Sequence, residues 1–302
     1  MKLGIPRFGI YSNVLRSFLE DLGIGVIMPT KITREMIKLG VANSSDMMCF
    51  PFKVTLGQEI WALENGATDL LMFNSCGVCR MKHYYQIQEH ALRNLGYQFN
   101  MNVITKKGFK REIKRLFGIS FLNTYKIFKR LYPTIERIEK TAYPLSPIKT
   151  LKIGIVGEVY TCWEPDINFD IVKKLQRMGA NVDMSITVTD YINGHTYLGK
   201  DEEKETKNLI SQELGGHGLE SICNTIWYGK NGFDGVIHLT PLSCMPESTV
   251  ESIIDHVAEK YAIPLYRFSI DENNFEAGVN TRLETFISML RRRNHAELLS
   301  RG

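Results

Sequence analysis

The stretch TDLLMFNSCGVCRMKHYYQIQEHALRNLG, residues 68–96, is the part of the sequence that decides the fold. Its LLMF run is apolar throughout, as is typical of a parallel strand that is covered on both faces. Residues 84–96 then carry apolar side chains at helical spacing and end on Gly96, a common helix stop. The stretch therefore predicts a buried strand, a loop with two cysteines and a helix in succession.

The same alternation of strand and helix extends on both sides of this stretch. KLGIPRF, GVIMP and QFNMNVIT are predicted strands, and the segments between them have helical periodicity. The pattern begins again at LKIGIVGEVYT, continues through NVDMSITVTDYI, which reads as a strand, and reaches a second buried strand, FDGVIHLTP. We therefore predict an α/β fold of two Rossmann-like, flavodoxin-like parallel-sheet lobes, residues 1–105 and 149–302.

Residues 106–148 interrupt the alternation. This segment is basic, helical in period and free of strand signals, and the Pro144–Pro147 stretch marks its end. We interpret it as a helical connector inserted between the lobes. Its basic face is either a docking surface for an acidic partner or a solvated amphipathic arm.

The composition limits the classes of protein that the chain can belong to. A length of 302 residues, 44% hydrophobic and 23% charged, fits a globular protein of two domains. The net charge of +4 is a mild excess that says little about nucleic acid, and we expect no nucleic-acid partner. No apolar run is long enough for a signal peptide or a membrane span. We expect a cytoplasmic protein. Neither a Walker A motif nor G-x-G-x-x-G occurs, so no nucleotide site is expected in the chain itself.

The cysteines are the main candidates for chemistry. In a reducing compartment they are buried side chains, metal ligands or catalytic thiols rather than disulfides. Four of them lie beside predicted strand or helix ends: Cys49, Cys76, Cys79 and Cys244. Ligands bind at the carboxyl ends of parallel strands, so these thiols could converge in a cleft between the lobes. Four thiolates can hold zinc or a [4Fe–4S] cluster.

Other interpretations of the cysteines stay open. The C-x-x-C pair also suits a thioredoxin-type redox site or two buried thiols. Structural zinc sites usually consist of two compact C-x-x-C knuckles, whereas these four cysteines span positions 49 to 244, which favours a cluster that bridges two lobes. Cys162, after a predicted strand, is a less favoured additional ligand, and Cys223 is expected in the core.

Two further residues are candidates for catalysis. Glu158 lies at a strand end, where a carboxylate can act as an acid or base or can simply cap a helix. His217 lies in the GGHG turn, where it could approach a substrate or a cluster. The glycines could equally mark nothing more than a break between helices.

Several segments, taken together, resemble a known family. They are IPRFGIYSNVLRSFLEDLGIGV, CFPFKVTLGQ, CGVCRMKHYYQIQEHALRNLGY, GEVYTCWEPDIN, GGHGLES, FDGVIHLTPLSCMPE and IPLYRFSIDENNFEAGVNTRLETF. In order and spacing they resemble the acyl-CoA dehydratase activase-related proteins, which are linked to 2-hydroxyacyl-CoA dehydratases. The resemblance runs through nearly the whole chain, but the chain lacks the ATPase module that longer relatives carry.

The resemblance implies an iron–sulfur protein of the 2-hydroxyacyl-CoA dehydratase type. Cys49, Cys79 and Cys244 match cysteine positions of the family, and Cys76 completes the C-x-x-C pair. The sequence departs from the family pattern at Val78, where proline is usual, and at Met81–Lys82, where Phe-Gly is usual, so the loop beside the cluster should differ.

These implications define the expected function. The cofactor would be a [4Fe–4S] cluster bound by Cys49, Cys76, Cys79 and Cys244, or a double cluster that uses more of the six cysteines in the sequence. The partners would be an actin-like ATPase activase in trans and a second copy or a paired iron–sulfur subunit. The chemistry would be ATP-linked low-potential electron transfer or reductive activation of a small substrate, as in a reductase or dehydratase component. The alternative is a non-catalytic binding or scaffold protein in which zinc or a cluster staples the lobes.

Overall fold

The computed structural model describes residues 1–75, 77–105, 109–118, 120–142, 151–184, 186–212 and 214–301. The chain divides into two compact units. Unit 1 comprises Met1–Ile138 and Ser243–Met245, and unit 2 comprises Glu139–Leu242 and Pro246–Gly302. The fold is α/β, with a four-stranded, all-parallel sheet in each half of the chain, as predicted.

The first sheet has the strand order β2-β1-β3-β4. Its strands are β1 (Lys2–Gly4), β2 (Gly25–Ile27), β3 (Asp69–Phe73) and β4 (Asn100–Ile104). Its helices are α1 (Ser12–Asp21), α2 (Arg34–Ala42), α3 (Phe50–Glu64) and α4 (Tyr84–Asn94), and short 3-10 turns precede α1 and α4 at Gly9–Tyr11 and Arg80–His83. Two more helices follow, α5 (Phe109–Phe117) and α6 (Phe121–Ala142), as expected for the connector.

Strand β3 is buried on both faces, which explains its unbroken apolar run. Leu70 and Met72 belong to one core cluster with α3 and α4 residues such as Leu56 and Leu92. Leu71, pointing to the opposite face, belongs to a second cluster that contains β1 and α1.

The second sheet has the equivalent order β6-β5-β7-β8. Its strands are β5 (Leu151–Gly157), β6 (Ala180–Asp183), β7 (Gly235–Pro241) and β8 (Leu265–Ile270). Its helices are α7 (Val159–Trp163), α8 (Pro165–Asn168), α9 (Ile171–Arg177), α10 (Val188–Asn193), α11 (Lys200–Leu209), α12 (Gly218–Lys230), α13 (Met245–Lys260) and α14 (Glu276–Arg301).

In each sheet the strand order reverses beside the first strand, between β1 and β3 and between β5 and β7. The carboxyl ends at such a reversal are where ligands bind in open α/β sheets. At the end of β5, Gly157 has a φ of 139°, and a Cβ there would lie 2.1 Å from the carbonyl oxygen of Leu239 on β7. Only glycine permits this approach, which lets the backbone N–H of Glu158 donate to the same oxygen at 3.1 Å.

Two predictions of local structure are wrong. The part of NVDMSITVTDYI that follows β6 forms α10, because Thr187 and Asp190 make a reciprocal capping box that stabilises a helix start. Helix α13 begins at Met245 rather than at Ser248 or Thr249, since Pro246 suits a first helical turn.

Other local predictions are confirmed. The Thr33 hydroxyl caps α2, and the helical stretch before the second buried strand is broken at Gly215–Gly216, between α11 and α12. Cys223 is fully buried in α12. The Pro144–Pro147 stretch lies outside the described residues. No helix in the described ranges is both long and apolar enough to cross a membrane.

Candidate functional site

Cys49 lies at the start of helix α3. It is the N-cap residue, Pro51 occupies the first turn, and the side chain is 6% exposed. The unpaired N–H groups of a helix N-terminus favour a negatively charged group, and a thiolate is one such group. The position therefore suits a cysteine that binds a metal.

Cys79 caps the 3-10 turn Arg80–His83, which leads directly into α4, and its side chain is half-buried. Two contacts join this turn to the loop before α3. The Tyr84 Oη lies 2.6 Å from the Cys49 Sγ, within hydrogen-bond distance, and the Arg80 guanidinium donates to the carbonyl oxygen of Met47. The structure thus brings the Cys49 loop and the Cys79 turn together.

The other two predicted ligands are not placed in the same way. Cys76 lies outside the described residues. Cys244 is buried directly before α13 and follows Ser243, whose φ of 62° lies in the left-handed region. In the part of the chain that the structure describes, no three His, Cys, Asp or Glu side chains form a group that could hold a metal ion.

The chemistry of the donor set nevertheless fits an iron–sulfur cluster. Cysteine sulfur is the ligand of such clusters, and it selects iron–sulfur centres or zinc over hard cations. Cys49 and Cys79 both begin helical segments, and Tyr84 offers a hydrogen-bond donor to one of the sulfurs. Such outer contacts orient metal ligands and tune the metal.

In unit 2, Glu158 caps helix α7. Its carboxylate accepts hydrogen bonds from the backbone N–H groups of Tyr160 (3.0 Å) and Thr161 (2.8 Å) and from the Thr161 hydroxyl (2.7 Å). Burial nevertheless raises the pKa of Glu158, because desolvation outweighs these hydrogen bonds and the nearby charge of Glu247 adds to it. The capping role foreseen for Glu158 is present, and the acid is also held in an environment that favours its protonated form.

Cys162 lies one helical turn after Glu158. Burial, with smaller effects from Glu158 and Glu247, raises the pKa of the Cys162 thiol well above its usual value. Burial likewise raises the pKa of Cys223 to about 12. In the protein without a metal, both residues are therefore neutral thiols of low reactivity.

His217 is the N-cap residue of α12, where Gly215 and Gly216 supply two successive positive φ angles. Its side chain is 5% exposed, and its Nε2 contacts the hydroxyl of Tyr191. Burial lowers the pKa of His217 to about 4, although the charge of Glu247 acts in the opposite direction. The imidazole is therefore neutral at physiological pH.

Three polar residues beside these candidates were missed by the sequence reasoning. Glu247, in the first turn of α13, accepts hydrogen bonds at Oε2 from the Ser221 hydroxyl (3.0 Å) and from the ring of His238 (2.8 Å). All three side chains are fully buried. The available signal was the polar residue inside the apolar strand VIHLTP, which indicates a histidine with a buried partner.

Glu247 interacts electrostatically with the other unit 2 candidates. Its charge influences the pKa of Glu158, Cys162 and His217. The structure thus contains two groups of candidate side chains. One is Cys49 with Tyr84 and the neighbouring Cys79 turn in unit 1, and the other is a buried set of titratable groups around Glu247 in unit 2.

The fold is that of an α/β protein with two parallel sheets. No protein-family model matches the chain, and no curated protein sequence matches it either.

Proposed function

We propose that the protein is a cytoplasmic iron–sulfur protein of the 2-hydroxyacyl-CoA dehydratase-like type. It takes part in ATP-linked low-potential electron transfer or in the reductive activation of a small substrate. The observation that supports the proposal most directly concerns Cys49 and Cys79, which begin two helical segments. The contact between the Tyr84 hydroxyl and the Cys49 sulfur connects these segments. Cys76 and Cys244 complete the ligand set.

The residues around these cysteines have defined roles in this proposal. Cys49 and Cys79 bind the cluster, which supplies one-electron redox chemistry when it is present. With Cys49 bound as a thiolate, the Tyr84 hydroxyl, 2.6 Å away, would donate a hydrogen bond to its sulfur. Phe52, 1% exposed, packs edge-on against the Tyr84 ring at a centroid distance of 5.0 Å.

The partners follow from the family resemblance. It implies that a separate actin-like ATPase activase supplies the ATP-dependent step. A second copy of the chain or a paired iron–sulfur subunit would complete the assembly. Cys162 would join the ligands only in a double cluster, which would require its buried thiol to lose a proton.

Anaerobic purification followed by iron, labile-sulfide and electron paramagnetic resonance analysis tests the proposal. We expect a brown protein with about four iron atoms per chain and a signal on reduction. Cys49→Ser, Cys79→Ser and Cys244→Ser should each lower the iron content. Cys223→Ala, in the α12 core, is the control and should keep it.

Two outcomes would overturn the proposal. A colourless protein that contains zinc, without iron or sulfide, would favour a zinc site. A cluster that cannot be reduced, with all its iron atoms held by protein ligands, would instead favour a scaffold protein in which the metal only stabilises the fold.

A further inference from the structure

The long helix α14 has an outer face that does not contribute to the core of unit 2. Its inner face is buried through side chains such as Leu283, Phe286 and Leu290, and the Phe286 ring packs 5.5 Å from the Tyr266 ring of β8. We infer that the outer face binds the same face of a second copy of the chain, with the two helices antiparallel. This pairing specifies the second copy of the chain in the proposed function, but it does not require a bound cluster.

Exposed side chains at spacings of three or four residues make up this outer face, called here the α14 face. This spacing places them on one side of the helix over a length of about 33 Å. They are Ala277, Thr281, Glu284, Ser288, Arg292, His295 and Leu299. A shallow groove of about 430 Å³ lies along the middle of the face, between Thr281 and Arg292.

The charges of the α14 face are arranged symmetrically about Ser288. Glu284 lies one turn before Ser288, and Arg292 lies one turn after it. In an antiparallel pair with its two-fold axis at Ser288, the Glu284 of each copy lies opposite the Arg292 of the other copy. Both ion pairs form together, because a two-fold interface repeats every contact. Opposite charges placed in this way fix the register of a helix pair.

The apolar ends of the α14 face follow the same symmetry. Leu299, 71% exposed, lies as many residues after Ser288 as Ala277 lies before it. This interval of eleven residues is close to three whole turns, so straight helices keep both positions on the shared side. The leucine of one copy therefore packs on the small alanine of the other. Phe275, 67% exposed and two residues before Ala277, adds a second apolar side chain at this end.

Glu284 and Arg292 form no ion pair with any residue in the part of the chain that the structure describes. Other charged residues of α14 contact their own chain. The Glu276 carboxylate lies 2.8 Å from the Lys174 ammonium. The Arg293 guanidinium donates to a backbone carbonyl oxygen at 2.9 Å. Two-fold pairing would give Glu284 and Arg292 the oppositely charged neighbours that a complementary interface uses.

The size of the α14 face determines the expected strength of the dimer. Two single helices of this length bury an area at the low end of the range for specific complexes. Exposed ion pairs add little affinity, although they select the partner and the orientation. We therefore expect a dimer that dissociates on dilution, with a dissociation constant in the micromolar range.

Sedimentation equilibrium of the full-length protein tests this pairing. The wild type should have twice the mass of one chain at about 100 µM and the mass of one chain at about 0.1 µM. Glu284→Arg and Arg292→Glu should each raise the dissociation constant at least about tenfold, because like charges then face each other. An equimolar mixture of the two variants should restore the wild-type dissociation constant, since every arginine of one variant then faces a glutamate of the other.

Arg282→Glu is the matched control, with the same change of charge as Arg292→Glu. Arg282 is exposed on α14, but it lies about 120° around the helix from Ser288, over the ring of Phe268. Its replacement should leave the dissociation constant unchanged. Iron analysis of the same samples separates this pairing from the proposed function. A dimer without iron supports the pairing alone, and a monomer that contains the cluster overturns the pairing alone.

Cross-linking of Ser288→Cys tests the antiparallel orientation. Only position 288 faces itself in the proposed dimer, whereas Thr281 faces His295. On mild oxidation we expect Ser288→Cys to form at least about tenfold more disulfide-linked dimer than Thr281→Cys, with the wild type as the blank. The inference is overturned if the wild type is monomeric at the higher concentration or if the charge reversals leave the dimer unchanged. It is also overturned if the mixture dimerises no better than either variant, or if the two cysteine variants cross-link equally.

Discussion

The hydroxyl oxygen of Tyr84 lies 2.6 Å from the sulfur of Cys49. Cys49 caps α3 and Tyr84 is the first residue of α4, so this one contact ties together the two helix starts that carry cysteines. Both side chains are about 5% exposed, which places the hydrogen bond out of reach of bulk water. In a dry environment a hydrogen bond to sulfur is strengthened, and it would stabilise the additional negative charge of a reduced cluster.

Replacing Tyr84 by Phe removes this hydrogen bond and retains the packing against Phe52. We expect the reduction potential of the proposed cluster to become more negative, because the reduced form loses a donor to its sulfur. Metal affinity should fall by about tenfold or more, as is usual when an outer-shell partner is lost. Redox titration and iron release to a chelator measure the two effects. Tyr85→Phe is the control on the same helix. An unchanged potential in a fully loaded Tyr84→Phe protein would contradict the role given to Tyr84.

The cysteines should differ in their reaction with iodoacetamide in the metal-free native protein. Cys79 is half-buried, whereas the other cysteines in the described ranges are buried. Burial also raises the pKa of Cys162 and Cys223, which lowers their thiolate fraction. We therefore expect Cys79 to be alkylated first among these five, and peptide mass spectrometry at timed intervals measures the order. Labelling of Cys162 or Cys223 at the rate of Cys79 would show that unit 2 opens readily.

Some of the fold could be predicted because single strands carry their own signal. LLMF in β3 is apolar throughout, and the GVIHL run in β7 is apolar apart from His238, since both faces of a parallel sheet are covered. The loops that follow these strands must lie at the carboxyl edge of each sheet. Helix α10 could not be predicted by periodicity, because the TVTDYI pattern resembles a strand while the local capping box of Thr187 favours a helix.

The candidate sites were only partly predictable for a similar reason. Cys49 and Glu158 lie at the ends of elements, so their positions follow from local sequence. The contact of Ser221 with Glu247 joins residues 26 positions apart and depends on how α12 packs against α13. No local pattern encodes such a contact, and the buried His238–Glu247 pair was missed for this reason.

Gly57 on α3 should be intolerant of any side chain. A Cβ at this position would lie 1.8 Å from the carbonyl oxygen of Met36 on α2, a backbone atom that cannot move away. We expect Gly57→Ala to separate α2 from α3 and to lower the midpoint of thermal unfolding strongly. The matched control is Gly278→Ala on α14, where no atom lies within 4 Å of the added Cβ. That substitution should stabilise the protein by about 0.5–1 kcal/mol, since alanine favours a helix over glycine. If Gly57→Ala and Gly278→Ala changed the unfolding midpoint equally, the close contact between α2 and α3 at Gly57 would be excluded.

Glu205 on α11 should contribute to stability through its contacts with two other helices. Its Oε1 accepts hydrogen bonds from the Lys260 ammonium and the Tyr261 hydroxyl, each at 2.6 Å. Its Oε2 lies 3.0 Å from the Lys230 ammonium. Partial burial acts to raise its pKa, but these donors outweigh the burial and hold the pKa of Glu205 at about 2. The stabilisation is therefore present above the ordinary carboxyl range and is lost as the pH falls towards 2.

Urea unfolding of Glu205→Gln tests this contribution. At neutral pH we expect a loss of about 1 kcal/mol, a value reduced by solvent screening around the two lysines, and the loss should vanish near pH 2. Glu203→Gln on the same helix removes an exposed i,i+4 pair with Lys207 and should cost about 0.5 kcal/mol or less. A loss from Glu205→Gln that does not depend on pH would contradict the electrostatic explanation.

Glu59 on α3 should make the protein less stable as the pH rises. The side chain is 1% exposed, and neither carboxyl oxygen has a hydrogen-bond partner among the described residues. Burial raises the pKa of Glu59 well above its usual value, so the folded protein keeps the proton. Below about pH 4 the carboxyl is protonated in both the folded and the unfolded chain, so Glu59 does not lower the free energy of unfolding. Above that pH the unfolded chain releases the proton first, and the free energy of unfolding falls by about 1.4 kcal/mol per pH unit until the folded pKa is reached.

Glu59→Gln removes the titrating proton and retains the shape of the side chain. We therefore expect the variant to become more stable than the wild type as the pH is raised from 5 to 8, measured by urea unfolding at each pH. Glu20→Gln, at an exposed position on α1, should follow the wild-type curve. If the wild type and Glu59→Gln lose stability in parallel over this range, then Glu59 is ionised in the folded protein and has a partner that stabilises its charge.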